Sequence, residues 1–274
     1  MSAVDAAVTA ATSLGVACDD PAVLHDGSNV VVHLRPAPVI ARVATLTARV
    51  RPGIASWFER DALIARHAHD RGVLATRPLA AAVPADGHVV GLWHHEPHDP
   101  GYVASPREMA ERLFELHEAL ADLPAPLPRH GPFNDLARAL PLLSLPPAAL
   151  AALEAEAERL RTVLEAFPAR PLHGDAHPGN LLATPAGLMW NDFEDTWRGP
   201  LGWDLACLAT SSRVDGTAAV AAYPGRVPAE ELAACVELRM LFGVVWRFVL
   251  ATRFPHRHPE AEEHLTRWLA ETTA

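Results

Sequence analysis

The spacing of apolar residues changes character along the chain. Asn29 to Leu34 (NVVVHL) and Val39 to Ala44 (VIARVA) are rich in β-branched residues, and the intervening turn Arg35-Pro36-Ala37-Pro38 predicts a hairpin. From Ile54 to Arg71 the period lengthens. Trp57, Phe58, Ala62, Leu63, Ile64 and Ala65 recur at helical spacing, and Gly72 supplies a stop. His88 to His94 (HVVGLWH) predicts a third strand, and the Pro/Gly-rich stretch HEPHDPG that follows reads as a joint between domains. Beyond it the pattern is helical. Ser105-Pro106-Arg107-Glu108 combines an N-cap, a Pro at the first helical position and a Glu three residues after the cap, so a helix should run to about Ala121. Residues 122–147 hold seven Pro and predict loop. Pro147 to Phe167 is amphipathic, with Leu150, Leu153, Leu160 and Leu164 as its stripe. Leu181-Leu182-Ala183 and Leu188-Met189-Trp190, separated by Thr184-Pro185-Ala186-Gly187, predict a second hairpin. The remainder is helical, with a loop at about 212–228. The sequence therefore predicts an α+β chain in two parts. Residues 1–96 form a small, mainly antiparallel sheet with one helix, and residues 97–274 are mostly helical.

Composition narrows the chemistry. The 274 residues are 50% hydrophobic and 20% charged, ordinary values for a globular chain long enough for a substantial core. All 23 basic residues other than His are Arg. Without Lys there is no Lys Schiff base and no G-x-x-x-x-G-K-[ST] phosphate loop. A formal net charge of −10 argues against a nucleic-acid partner. Cys18, Cys207 and Cys235 are widely spaced and odd in number, which suits a reducing, cytoplasmic setting rather than a disulfide framework. The N-terminus lacks a basic segment and does not read as a signal peptide, and the apolar run Met240 to Trp246 is too short for a membrane span. No membrane partner is expected.

The chemically informative stretch is LHGDAHPGNLLATPAGLMWNDFED, residues 172–195. Asn180 enters the first strand of the second hairpin and Asp192 leaves the second strand. Folding about Pro185 to Gly187 should bring the two side by side, and an amide oxygen beside a carboxylate suits a hard cation such as Mg²⁺. Asp175, on the loop just upstream, can face a substrate hydroxyl and accept its proton. This is the arrangement phosphoryl transfer uses.

The segment resembles the aminoglycoside phosphotransferase and choline kinase-like family, which has the bilobal protein-kinase-like fold. The motif H-G-D-x-x-x-x-N stands as His173-Gly174-Asp175-Ala176-His177-Pro178-Gly179-Asn180, the next element as Asp192-Phe193-Glu194, and a later one as Trp203-Asp204-Leu205-Ala206. Leu116-His117, Glu59, Arg42 and Gly27-Ser28-Asn29 match more loosely, in the family's order. The resemblance implies ATP and Mg²⁺ as cofactors, an N-terminal nucleotide-binding lobe over 1–96 and a catalytic, acceptor-binding lobe over 97–274. It makes Asp175 the catalytic base, Asn180 and Asp192 the metal ligands, and His173 and Asp204 supports of the catalytic loop. Arg42 would take the place of the strand lysine that touches the nucleotide phosphates, held by Glu59. Ser28 would lie in the nucleotide-covering turn, His177 would reach the γ-phosphate, and residues 92–97 would bind adenine through the backbone. Glu194 and Asp195 either line the acceptor site or are solvated. The acceptor that the resemblance implies is a small-molecule hydroxyl compound, and the acidic balance suits an aminoglycoside or another amino alcohol or sugar. Two other functions remain open on sequence. One is a metal-dependent hydrolase using His173, Asp175 and His177 at alternate positions. The other is a non-catalytic nucleotide-binding protein, suggested by a phosphate-covering turn whose only glycine is Gly27.

Overall fold

The computed structural model describes residues 1–272. The chain divides into two compact units that interleave along the sequence. One contains Met1–Tyr102, Glu118–Leu123 and Gly179–Asp195; the other contains Val103–His117, Pro124–Pro178 and the chain from Thr196 on.

The first unit is built on a five-stranded antiparallel sheet. Its strands are β1 (Cys18–Asp26), β2 (Asn29–Pro36), β3 (Val39–Ala44), β4 (Pro78–Ala85) and β5 (His88–His94), in the order β1-β2-β3-β5-β4. The β-branched runs at 29–34 and 39–44 form the predicted hairpin, with Val30 opposite Val43 and Val32 opposite Ala41. Alternation places Val30, Val32 and Leu34 on one buried face. Helix α1 (Ala3–Ser13) covers that face with Ala6, Ala7, Ala10 and Ala11, small side chains that let a helix approach a sheet closely. A capping box between Ser2 and Asp5 starts it. A short helix α2 (Leu46–Val50) follows β3, then α3 (Ile54–Asp70). Two helices therefore join the single one expected in residues 1–96.

Helix α4 (Pro106–Leu120) starts at the predicted capping box: Ser105 N donates to Glu108 Oε2 at 2.8 Å, and Glu108 N to Ser105 Oγ at 3.2 Å. Helix α5 (Gly131–Ala139) lies in the stretch read as loop. Pro132 sits in its first turn, where a missing N–H costs nothing, so the Pro count concealed a helix. Helix α6 (Pro147–Leu164) buries Leu153, Leu160 and Leu164 of the predicted stripe. Strand β6 (Ala169–Pro171) precedes the hairpin β7 (Leu181–Thr184) and β8 (Gly187–Trp190), which belongs to the first unit. Its register pairs Leu181 with Trp190 and Thr184 with Gly187.

In the second unit β6 pairs with β9 (Arg198–Pro200). Helices α7 (Gly202–Ala209), α8 (Gly216–Ala222), α9 (Ala229–Ala251) and α10 (His258–Thr272) follow. Helix α8 interrupts the expected loop at 212–228, capped by Asp215, whose carboxylate accepts from Ala218 N. Helix α9 packs against α6, α7 and α10 and buries Leu238, Leu241, Val245 and Phe248. Among the described residues no helix is long and apolar enough to cross a membrane. The architecture is thus an antiparallel-sheet N-terminal region and a helical C-terminal region.

Candidate active site

In the first unit the site gathers around Arg42 on β3. Its aliphatic stem is buried, and its guanidinium lies over the rings of Phe58 (4.8 Å) and Trp93 (5.7 Å). The guanidinium is ion-paired with Asp61 and Asp192, and lies 3.6 Å from Glu194 Oε2. Glu59, the expected partner, is exposed. The correction follows from helix geometry. Phe58, Asp61, Ala62, Ala65 and Ala68 share the buried face of α3, and position 59 lies off it. Asp61 also accepts a hydrogen bond from Phe193 N at 2.9 Å, so one buried carboxylate fixes both the arginine and the D-F-E backbone.

Asp192 and Asn180 sit at the open end of the β7–β8 hairpin, joined by Asn191 N donating to Asn180 O at 3.0 Å. Asn180 is buried, whereas the Asp192 carboxylate is 37% exposed. Asp192 has φ 63°, a left-handed conformation uncommon outside Gly and better tolerated by Asp than by most residues. Such departures cluster at functional positions.

Of the two alternatives read for Glu194, the structure excludes the solvated one. Glu194 is buried, and accepts from Arg51 Nη1 at 2.9 Å and from Asn29 Nδ2 at 3.2 Å. Asp195 is also ion-paired with Arg51. Arg51, unnoticed in the sequence, is almost wholly buried and stacks 4.3 Å over Trp57. Around Arg42 and Arg51 stand four carboxylates, of Asp61, Asp192, Glu194 and Asp195. Ser28 lies in the β1–β2 turn, where its carbonyl accepts from Leu46 N at 3.0 Å and Thr47 N at 3.2 Å and ties the turn to α2. Within 92–97, the N–H groups of His94 and His95 go to Arg77 O and Pro38 O.

In the second unit the loop before the hairpin is held by Asp204. Its carboxylate accepts from His173 N at 2.7 Å and Gly174 N at 2.9 Å, and lies 2.9 Å from His117 Nε2. Tyr223 Oη meets the other ring nitrogen of His117 at 2.8 Å, so both ring nitrogens have partners. Trp203 Nε1 donates to Gly174 O at 2.7 Å, and Gly174 takes φ 92°, where a side chain would be strained. His173 is wholly buried, its Nδ1 accepting from Asp175 N at 3.3 Å.

The Asp175 carboxylate faces two basic groups: Arg239 Nη2 at 2.7 Å from Oδ1, and His177 Nε2 at 3.3 Å from Oδ2. Burial pushes its pKa up, but Arg239 foremost and His177 more than offset that, holding it far below the usual carboxylate range. Asp175 is therefore ionised at neutral pH. Among the described residues no group of three His, Cys, Asp or Glu side chains could hold a metal ion. The triad His173, Asp175 and His177 is not built as a metal site: His173 is turned to the backbone and Asp175 to Arg239.

The second unit carries an ionised carboxylate on a braced loop and the first a buried arginine on a sheet strand, two features that a phosphotransferase uses. A family model described as the phosphotransferase enzyme family matches residues 22–235, and the chain belongs to that family. Solved structures share the fold. The GDP complex of aminoglycoside 2′-phosphotransferase-IIIa superposes with a TM-score of 0.62 at 17% identity, covering 97% of each chain. A choline/ethanolamine kinase family protein from Mesorhizobium loti gives 0.64 at 20% identity, covering 97% of this chain and 92% of that one. The amicoumacin kinase hAmiN, in complex with AMP-PNP, Ca²⁺ and Ami, gives 0.66 at 11% identity, covering 92% and 90%. No curated protein sequence matches the chain.

Proposed function

We propose that the protein transfers the γ-phosphoryl group of ATP, with Mg²⁺, to a hydroxyl of a small molecule. The observation that carries this reading is Asp175, ionised at neutral pH on a loop whose backbone is pinned by a buried carboxylate. In the reaction the acceptor hydroxyl donates its proton to Asp175 while its oxygen forms the new P–O bond. The bond between Pγ and the β,γ-bridging oxygen breaks, and ADP leaves.

The residues present fit the two cofactors. Arg42 Nε is buried with no hydrogen-bond partner, a donor that a phosphate oxygen can take. The four carboxylates of Asp61, Asp192, Glu194 and Asp195 outnumber the three guanidinium groups of Arg42, Arg51 and Arg60 beside them, which suits a divalent cation. Asn180 and Asp192 offer it an amide oxygen and a carboxylate. Mg²⁺ commonly takes one or two protein ligands and keeps water, so a sparse donor set is sufficient. When bound, it neutralises charge on the phosphates. In this assignment Arg42 binds phosphate, Asp61 orients Arg42, and His173 and Asp204 hold Asp175 in place. The names of the structural neighbours add support: one binds GDP, another AMP-PNP with Ca²⁺, and their acceptors include aminoglycosides and amicoumacin.

Two measurements test the proposal. ATP with Mg²⁺ should raise the melting temperature, since a hundredfold excess over Kd adds about 2.7 kcal/mol of stabilisation. Asp175→Asn should keep that shift while lowering phosphate transfer roughly 10²–10⁴-fold in an ADP-release assay over a hydroxyl-compound panel. Absence of any shift with ATP and Mg²⁺ refutes nucleotide use. A shift without transfer to any hydroxyl supports a non-catalytic nucleotide-binding protein instead.

A further inference from the structure

We propose that Arg239 recognises the phosphate acceptor, and that this acceptor carries an anionic group, a carboxylate or a phosphate, beside the hydroxyl to be phosphorylated. The inference rests on the phosphotransferase reading of Asp175.

Arg239 lies on α9 and is built into its position. Glu231, eight residues earlier on the same helix, accepts from Gly202 N at 2.7 Å and so keys α9 to the start of α7. Cys235 packs against the same Gly202, whose missing side chain leaves room for it: a Cβ there would lie 3.1 Å from the sulfur. The next step along that face brings Arg239 over the ring of Trp203, 5.7 Å from its centroid. Trp203 is in turn fixed by its bond to Gly174 O. The guanidinium therefore reaches Asp175 along a rigid path, with 22% of its side chain exposed.

Neither Asp175 nor α9 needs Arg239 to stay in place. The Asp175 backbone is held at both ends of its residue, its N–H by His173 Nδ1 and its carbonyl by His177 N at 2.9 Å. Helix α9 is fixed by Glu231 and by the buried Leu238, Leu241 and Val245. A cation against the base also weakens that base. Its presence is best explained by a ligand that meets the same guanidinium. A planar guanidinium presents paired N–H donors that match a carboxylate or phosphate edge. An ammonium group brought to the same place would face the Arg239 guanidinium. The chain's overall acidity pointed to a cationic acceptor, but the charge next to the reacting position has the opposite sign.

The test is a thermal-shift series at saturating AMP-PNP and Mg²⁺, with glycerol 3-phosphate and D-glycerate as anionic probes, glycerol as the neutral one, and choline and kanamycin as cationic ones. Both anions are expected to raise the melting temperature by several degrees, with glycerol, choline and kanamycin leaving it unchanged. Arg239→Gln should abolish the anion shift, and Arg239→Lys should retain part of it. In the ADP-release assay the anionic alcohols should outpace the cationic ones at least tenfold. A shift with choline or kanamycin equal to or larger than that with the anions overturns the proposal. So does an anion shift that survives in Arg239→Gln, or the lack of any anion shift. The initial shift with AMP-PNP and Mg²⁺ separates the two levels: its absence removes the phosphotransferase reading and this inference together, whereas its presence with cation preference removes only the inference. Should Arg239→Gln fail to fold, the ranking of probes on the wild-type chain and on Arg239→Lys decides.

Discussion

At the scale of single residues, Asp61 carries more than its sequence position suggests. It holds Arg42 and the Phe193 backbone from a wholly buried site, and removing one partner of a buried pair leaves an uncompensated charge. Asp61→Ala should destabilise the chain by about 3–5 kcal/mol, read by urea unfolding, and abolish phosphate transfer. Glu59→Ala should change stability by less than about 0.5 kcal/mol, as surface substitutions do, with activity intact. Equal effects of the two would contradict the assignment. The sequence did carry the signal for Asp61, since Phe58, Ala62 and Ala65 mark the face it shares, but the expected partner was a glutamate and the nearest one lay two residues away. The hairpin brought Asn180 and Asp192 together on sequence alone, without knowledge of distant contacts, whereas the role of Asp204, whose partners His173 and His117 lie far along the chain, came only with the family resemblance. Arg51 and Arg239 were not legible. Each meets its carboxylate across a long stretch of chain, and nothing local separates it from the other arginines. Asp175 gives a further prediction. Its folded pKa lies below the unfolded value of about 3.9, so its ion pair stabilises the fold above that pH and is lost as pH falls. Arg239→Gln should move the acid-unfolding midpoint to higher pH, followed by circular dichroism; an unchanged midpoint would show that the ion pair does not stabilise the fold.

At the scale of elements, periodicity found the segments with strong burial contrast and missed those without it. The β2–β3 hairpin, α3, α4, α6 and the β7–β8 hairpin stand where their patterns placed them. Strands β1 and β4 lie at the two edges of the sheet. Their compositions, CDDPAVLHD and PLAAAVPA, carry the Pro and polar residues that edges tolerate, and so lack a strand's usual pattern. Helix α1 has five alanines among its eleven residues and shows little contrast between faces until the sheet is there to cover. The junction of α7 and α9 offers the element-scale test. Glu231 supplies an acceptor to an otherwise orphaned N–H at the start of α7, and burial raises its own pKa. Glu231→Ala should cost about 1–2 kcal/mol in urea unfolding, the usual effect of losing a helix cap. Because α9 also carries Arg239, the same change should raise KM for the acceptor more than KM for ATP. Equal changes in both constants would argue against α9 as the acceptor-side element.

At the scale of the whole molecule, the chain is strongly acidic, and three of its 23 arginines stand on the carboxylates of the candidate site: Arg42 and Arg51 in one unit, Arg239 in the other. In a chain without lysine, the strand position that would touch phosphate is held by Arg42. Replacing Arg42 with Lys keeps one charge but cannot span Asp61 and Asp192 with a fork, so Arg42→Lys should lose most ATP-dependent stabilisation while remaining folded. Full retention in a thermal-shift titration would show that the fork is dispensable. The three-way sharing of Arg42 has one more consequence. In the structure Asp192 is already engaged by the arginine proposed to bind phosphate. Under the proposed assignment, a nucleotide that drew the whole guanidinium of Arg42 to its phosphates would release Asp192, and a cation that took Asp192 would release Arg42. Each ligand thus lowers the free-energy cost of admitting the other, and this coupling must be equal in both directions. The protein should accordingly fill its two proposed sites cooperatively and resist taking up either ligand alone.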